Sequence, residues 1–357
     1  MAGRARPGRD AAHSRAFREP DIFMTGIWFS GHNNVRYASL IPRLARLDPQ
    51  FVQIRGPRLV RSAQYRLLGP YQQSLIGALN RRAQERYDYT LVTDYRQLAN
   101  VTMTAVVDVD DPNYTAEEVH LLNSPKVACV VVPIEAARDK YLSMGVRNRI
   151  EVVAHGHNAE FVSARSHREH QSRGLVFGFA APFLLSGEGT DPMYNVDELV
   201  FDWWPRIHSK CANARLALVG KPGRRLQRKV EDSQGVLLLG TLSASEVRAF
   251  HAQIDIGIYP RRIDHVRSSL KVVEMVASGT PIVGFDVPPT VPVRESGCGS
   301  IVDDVDELIH ECIRIGTNHS LRSNMAEGGL RWGRGCTWDA IATEYADLLD
   351  EVLPRHA

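Results

Sequence analysis

The chain has 357 residues, 44% hydrophobic and 24% charged, which is enough for about two domains with their own cores and too apolar for a disordered protein. Lys+Arg 43 against Asp+Glu 41 leaves a formal charge of +2, without the basic excess of a dedicated nucleic-acid binder. The five cysteines (Cys129, Cys211, Cys298, Cys312, Cys336) form no CxxC pair, which predicts reduced thiols in a cytoplasmic protein and no zinc knuckle; no apolar run reaches the roughly 18–20 residues of a membrane span. Only six lysines are present (Lys126, Lys140, Lys210, Lys221, Lys229, Lys271), a bias that points to a GC-rich coding sequence and makes each lysine's position informative.

In chain order, residues 1–20 carry Arg4, Arg6, Arg9, Arg15 and Arg18 with no apolar stretch, which predicts a disordered basic leader rather than a signal peptide. Ile22–Trp28 reads as a strand running into the turn Ser30-Gly31-His32-Asn33-Asn34, and Val35–Leu47 as a helix. Phe51–Ile54, Tyr89–Thr93, Ala105–Val109, Val127–Val132 and Glu151–His155 read as further strands, with helices at Leu67–Arg86 and Ile134–Met144, the latter closed by Gly145. The polar patch Arg165–Arg173 reads as a linker, after which the alternation restarts. Strands are expected at Leu175–Phe179, Leu216–Val219, Val236–Leu239, Ile254–Tyr259, Pro281–Phe285 and Ser300–Val302. Helices are expected at Asp197–His208, Ser243–Ala252 with a Ser243/Glu246 capping box, Ser269–Ala277, Asp306–Ile315, Leu321–Gly328 and Trp338–Leu349.

Such alternation specifies parallel sheets covered on both faces. The fold class expected is α/β, with two doubly wound, Rossmann-like domains facing across a cleft: 21–165, then 166–335, with 336–357 as a closing helix. Ligands of such sheets bind at the carboxyl ends of the strands, so the loops after strands carry the argument.

The richest stretch runs from Asp255 to Phe285. A strand ends at Pro260, a polar loop with Arg261, Arg262, Asp264, His265 and Arg267 follows, and a helix opens near Ser268-Ser269. The free N–H groups and positive dipole of that helix end make an anion site, and Arg261, Arg267 and Lys271 beside it suit a diphosphate. Glu274, one turn in, suits a vicinal diol such as a ribose. A solvated helix face is the plainer reading of Lys271 and Glu274.

The run Ser269-Leu270-Lys271-Val272-Val273-Glu274-Met275-Val276-Ala277-Ser278-Gly279-Thr280-Pro281-Ile282-Val283 resembles the S/P-x-K-x-x-E-x-x-A-x-G-x-P-V/I-V segment of GT-B glycosyltransferases of the retaining family-4 type, the glycosyl transferases group 1. Similar correspondences run through Ala252–Pro260, Gly297-Cys298-Gly299, Leu216–Gly220, Arg149–Asn158 with Phe161, and Trp338. The resemblance implies a GT-B architecture with the acceptor on the first domain and a nucleotide-sugar donor on the second. It implies a retaining transferase of the hexosyltransferase type, working without a metal or other cofactor. Donor-binding residues are then Glu274, Ser268, Ser269, Leu270, Arg267, Lys221 and Gly220, with Lys271, Arg261 and Asp110 as catalytic candidates. Gly31, His32, Asn33 and Asp94 form the acceptor side; for the asparagines of this turn, helix capping is an equal reading. Asp108, Asp110 and Asp111 cluster at a strand end, and no metal is assigned to them.

Two departures stand out. The family's first glutamate, eight residues before Glu274, is Val266 here, and the family's Arg and Lys after the first strand of the second domain are absent from Gly178–Thr190. The second departure opens an alternative, a catalytically weak or inactive nucleotide-sugar binder; a nucleotide-sugar epimerase of the same fold is a third reading. The acceptor is a polysaccharide, a lipid carrier or a natural product. Arg55, Arg58, Arg61 and Arg66 amid apolar residues suit an anionic membrane surface at the inner face, although a solvated loop is the plainer reading.

Overall fold

The computed structural model describes residues 22–24, 35–47, 52–53, 89–93, 95, 98, 101, 104–159, 174–184, 194–263 and 266–353. Leader 1–20, turn 29–34, patch 55–66, helix 67–86 and linker 165–173 lie outside them.

The first half comprises β1 (Ile22–Met24), α1 (Val35–Leu47), β2 (Val52–Gln53), β3 (Tyr89–Val92), β4 (Thr104–Asp108), α2 (Ala116–Leu122), β5 (Val127–Val132), α3 (Glu135–Ser143) and β6 (Ile150–Val152). Its strands form one parallel sheet in the order β2-β1-β3-β4-β5-β6. Helix α2 is an element the sequence reading passed over. Its signal is local: the Thr115 hydroxyl accepts from the Glu118 N–H at 3.1 Å, and the Glu118 carboxylate accepts from the N–H groups of Asn113 and Tyr114.

The second half comprises β7 (Val176–Leu184), a helix over 196–210 (α4) that loosens into a π turn at Leu199–Trp203, β8 (Arg215–Pro222), α5 (Arg224–Lys229), β9 (Val236–Leu238), α6 (Ala244–Gln253), β10 (Ile256–Tyr259), α7 (Leu270–Ala277), β11 (Ile282–Phe285), α8 (Val291–Ser296), β12 (Gly299–Val302), α9 (Val305–Thr317) and α10 (His319–Gly335). A last helix, α11 (Trp338–Val352), follows. The second sheet is also parallel, in the order β12-β11-β10-β7-β8-β9, the doubly wound arrangement with its switch point between β7 and β10. The short helices α5 and α8 were not expected from the sequence; neither spans two full turns, so neither leaves a legible apolar period. Helix α10 runs seven residues past its expected end at Gly328, because Gly328, Gly329 and Gly333 let it lie against Ser296, Val276 and Ala277. The capping box at α6 is formed, with Ser243 and Glu246 exchanging both bonds.

Two buried clusters build the first half and one large cluster, centred on Phe177, Phe179, Trp203 and Trp204, builds the second. Helix α11 belongs to the first core: Trp338, Ile341, Tyr345 and Leu349 pack with Tyr37, Leu40 and Leu44 of α1 and with Val106. The chain crosses back where His157 and Thr337 bridge, with the His157 N–H on the Cys336 carbonyl and the Trp338 N–H on the His157 carbonyl. Gly156 is required there: a Cβ would stand 2.8 Å from the Trp338 nitrogen. Replacing Gly156 by alanine is expected to cost about 1–3 kcal/mol by pushing α11 off its seat, read as a lower melting temperature with loss of Trp338 near-UV dichroism.

Candidate functional site

Both ends of the β7/β10 switch point converge on α7. Helix α7 buries Val272, Val273, Met275, Val276 and Ala277 against the second core. That leaves Lys271 and Glu274, three residues apart, sharing the opposite face. The helix begins at Leu270 with Ser269 as its N-cap; the Ser269 side chain makes no cap bond and meets Tyr259, and its carbonyl takes the Val272 N–H at 3.0 Å, which leaves the N–H groups of Leu270 and Lys271 for a ligand. Leu270 packs its side chain on the first core, so only its backbone serves an anion.

Lys271 donates to the Tyr194 hydroxyl at 2.7 Å and lies 4.4 Å from that ring's centre and 5.5 Å from that of Phe179. Burial pushes its ammonium down to about 8, with nearby Arg261 adding to the effect while Tyr259 and Glu274 oppose it. Burial likewise pushes the Glu274 carboxyl up to about 7, against the pull of Arg248 and Lys271. His251 sits 3.6 Å from the Glu274 carboxylate, but burial and Lys271 push its imidazole down to about 3, so it is neutral and this contact is no ion pair. Arg261 is 4% exposed, donates to the Ile263 carbonyl at 3.2 Å and faces the Tyr194 ring at 5.9 Å. Asn195 holds the two loops together, giving both its backbone N–H and its side-chain amide to the Pro260 carbonyl.

The result is two cations and an ionisable carboxyl under aromatic cover beside a helix N-terminus, an environment that favours a polyanion with a diol attached. Tyr194 and Phe179 are the residues the sequence reading missed. The absence of Arg and Lys in 178–190 was legible, but not that an aromatic four residues further on would collect cations from the next strand's loop.

The remaining candidates divide. Arg267 turns to Asp111 of the first half at 3.7 Å, and Arg262 pairs with Glu198 over the rings of Trp203 and Phe285. Lys221 stands exposed at the end of β8. Gly220 serves the backbone: at φ +140° a Cβ would lie 1.9 Å from the Ala181 carbonyl oxygen. Ser268 and Asp110 meet His155, described below. Asp108 is committed to a buried ion pair with Arg36 and is not a ligand group. Gly31, His32, Asn33 and Asp94 lie outside the described residues, as do Asp264 and His265. Among the described residues no His, Cys, Asp or Glu cluster suits a metal ion, and no helix is long and apolar enough to cross a membrane. A separate groove of about 550 Å³, lined by Ser300, Asp306, Glu307, His310 and Glu311, lies at the outer edge strand β12, away from this chemistry.

Residues 183–318 match the family model described as glycosyl transferases group 1. No curated protein matches the chain. Among solved structures, sucrose-phosphate synthase from Thermosynechococcus elongatus is similar at 15% identity and a TM-score of 0.69, covering 94% of this chain and 99% of that one. Anabaena HepE, solved with UDP and glucose, is similar at 14% identity and a TM-score of 0.68, over 93% of this chain and 100% of that one. A glycosyltransferase from Rickettsia africae is similar at 12% identity and a TM-score of 0.67, over 95% and 100%. At these identities the likeness is one of fold: the chain has the two-domain GT-B architecture.

Proposed function

We propose that the chain, whose residues 183–318 match the glycosyl transferases group 1 model, moves a sugar from a nucleoside-diphosphate sugar to a hydroxyl acceptor with retention of configuration. The observation that carries this reading is the Lys271–Arg261–Glu274 constellation at the N-terminus of α7. The ribose diol donates to Glu274, the diphosphate takes the first-turn N–H groups of α7 with Lys271 and Arg261, and the sugar projects into the cleft toward the first half. Catalysis is electrostatic: the charge that develops on the departing diphosphate falls on cations already desolvated in place. No metal is invoked, since Lys271 and Arg261 supply that charge. HepE, solved with UDP-glucose, motivates UDP-glucose as the first donor to try. The acceptor is a sugar, lipid-linked or natural-product hydroxyl, and cytoplasmic residence with peripheral contact at the inner membrane face belongs to the same proposal.

The test is release of free nucleotide from a panel of UDP-, GDP-, ADP- and dTDP-sugars by the full chain. Turnover with at least one donor is expected. Nucleotide binding without turnover of any donor would instead favour a binding relative, the reading that the missing Arg and Lys after β7 invite; the buried Arg261 and half-buried Lys271 weigh against it.

The Glu274 carboxyl gives this site a pH signature. Near pH 7 in the free protein it is half protonated, and only the carboxylate accepts two ribose hydroxyls well. UDP affinity is expected to rise about tenfold from pH 6 to pH 8 relative to Glu274→Gln, which does not ionise, in paired calorimetric titrations.

A further inference from the structure

Three side chains from separate elements line up across the two halves. The Asp110 carboxylate, just past β4, lies 2.6 Å from His155 Nε2, and Ser268 Oγ, in the loop before α7, lies 3.1 Å from His155 Nδ1. His155 follows β6 and is 8% exposed. A carboxylate only accepts, so in the neutral imidazole Nε2 carries the proton and Nδ1 presents its lone pair to the serine hydroxyl. The loop bearing Ser268 is fixed against the first half by further contacts: Tyr114 donates to the Val266 carbonyl at 2.5 Å, Arg267 faces Asp111, and Leu270 enters the first core. Behind the dyad, Arg36 gives one N–H to the Ala154 carbonyl at 3.0 Å, next to His155, and grips Asp108 with the others. A carboxylate-oriented imidazole whose free nitrogen already receives a hydroxyl, one residue from the N-cap of the diphosphate-binding helix, is an arrangement for taking a proton.

We propose that His155, positioned by Asp110, is the group that accepts the proton of the attacking hydroxyl. The inference rests on the transferase reading above. In the step, the hydroxyl oxygen forms its bond to the anomeric carbon and the bond from that carbon to the phosphate oxygen breaks. The electron pair leaves with the nucleoside diphosphate, and the hydroxyl proton passes to His155 Nδ1 while Asp110 faces the new positive charge. Ser268 marks where the incoming oxygen sits and is displaced by it. Because Ser268 adjoins the helix end that holds the diphosphate, the base and the leaving group lie on the same side, which fits attack on the leaving-group face. Among the described residues the charged groups around the imidazole are Asp108 at the end of β4, Asp110 and Asp111 just past it, Arg36 on α1, Arg267 on the facing loop and Glu344 on α11, which acts on Arg36; the Trp338 ring centre stands 6.2 Å away.

The experiment uses the full chain and UDP-glucose, with water as acceptor, and follows UDP release from pH 5.5 to 9. For the wild type the rate rises with pH and levels off as the base loses its proton. His155→Gln is expected to lose at least 100-fold in kcat and its pH dependence, with UDP affinity unchanged, and His155→Ala to recover activity with added imidazole. Asp110→Asn is expected to lower kcat at least about tenfold with UDP affinity unchanged, and Asp110→Glu to recover part of it; a purely structural role would lower UDP affinity and stability along with kcat. Wild-type turnover together with a His155→Gln variant that keeps its rate within threefold and its pH profile overturns this proposal and leaves the transferase reading standing. A wild type that binds UDP but turns over no UDP-sugar overturns both.

Discussion

Replacing Lys271 by methionine is expected to cut turnover at least about 100-fold while making the protein more stable. The two effects share one cause. The ammonium is charged at neutral pH in a site that pushes its affinity for the proton down to about 8 from an ordinary 10.5. Between those values the unfolded chain keeps a proton that the folded one has released, so stability rises with pH across that window, and below it the folded protein carries the charge at a cost. Methionine removes the cost and fills much the same space beside Tyr194 and Phe179. A rise of about 2–4 °C in melting temperature is expected, as at other sites where function is held against stability. Activity falls by about 10²–10³-fold or more, because the charge on the departing diphosphate loses its nearest cation. Differential scanning calorimetry beside a UDP-release assay checks both signs. A variant that loses stability and activity together would make Lys271 a structural residue.

The second large effect is expected at Arg36, where the sign is opposite. Arg36 and Asp108 are each 1% exposed, and the guanidinium gives Asp108 three N–H contacts between 3.0 and 3.2 Å. The Tyr37 hydroxyl donates to the same residue. Burial opposes the arginine's charge, but Asp108 and Asp110 together outweigh it and hold the guanidinium protonated. Arg36→Met strands the Asp108 carboxylate without its counter-ion, at a cost of about 3–5 kcal/mol. The double variant Arg36→Met, Asp108→Leu restores much of that, since it is the unpaired charge and not the missing pair that destabilises. Urea unfolding of the two single variants and the double completes the cycle, and additive losses would contradict the account. Even where stability is restored, turnover stays low, because Arg36 also tethers the Ala154 carbonyl beside His155.

How much of this could be read in advance varies with the range of the interactions. Helix α1 runs from Val35 to Leu47 and strand β5 from Val127 to Val132, as their apolar spacing predicts, because periodicity records which face is buried. Helix α2 was missed because its seven residues carry fewer than two periods of apolar signal; its capping pair, Thr115 and Glu118, was the better clue. The Lys271–Glu274 motif was legible because both residues sit on one element. Tyr194 was not, since it reaches Lys271 across 77 positions of sequence, and no local pattern records that encounter. His155 was quoted only as part of a strand-end motif. Its partners lie 45 residues before it and 113 after it, so the dyad exists only once the halves have met. The asparagines of the 29–34 turn and Asp94 remain expectations for the acceptor side.

Calorimetric titration of the wild type and of Glu274→Ala with UDP tests the central claim most directly, that α7 holds a nucleoside diphosphate through its N-terminus, Lys271 and Glu274. Saturable binding by the wild type is expected, weakened about 10- to 100-fold or more in the variant by loss of two charge-assisted hydrogen bonds. Equal affinity in the two proteins would contradict it.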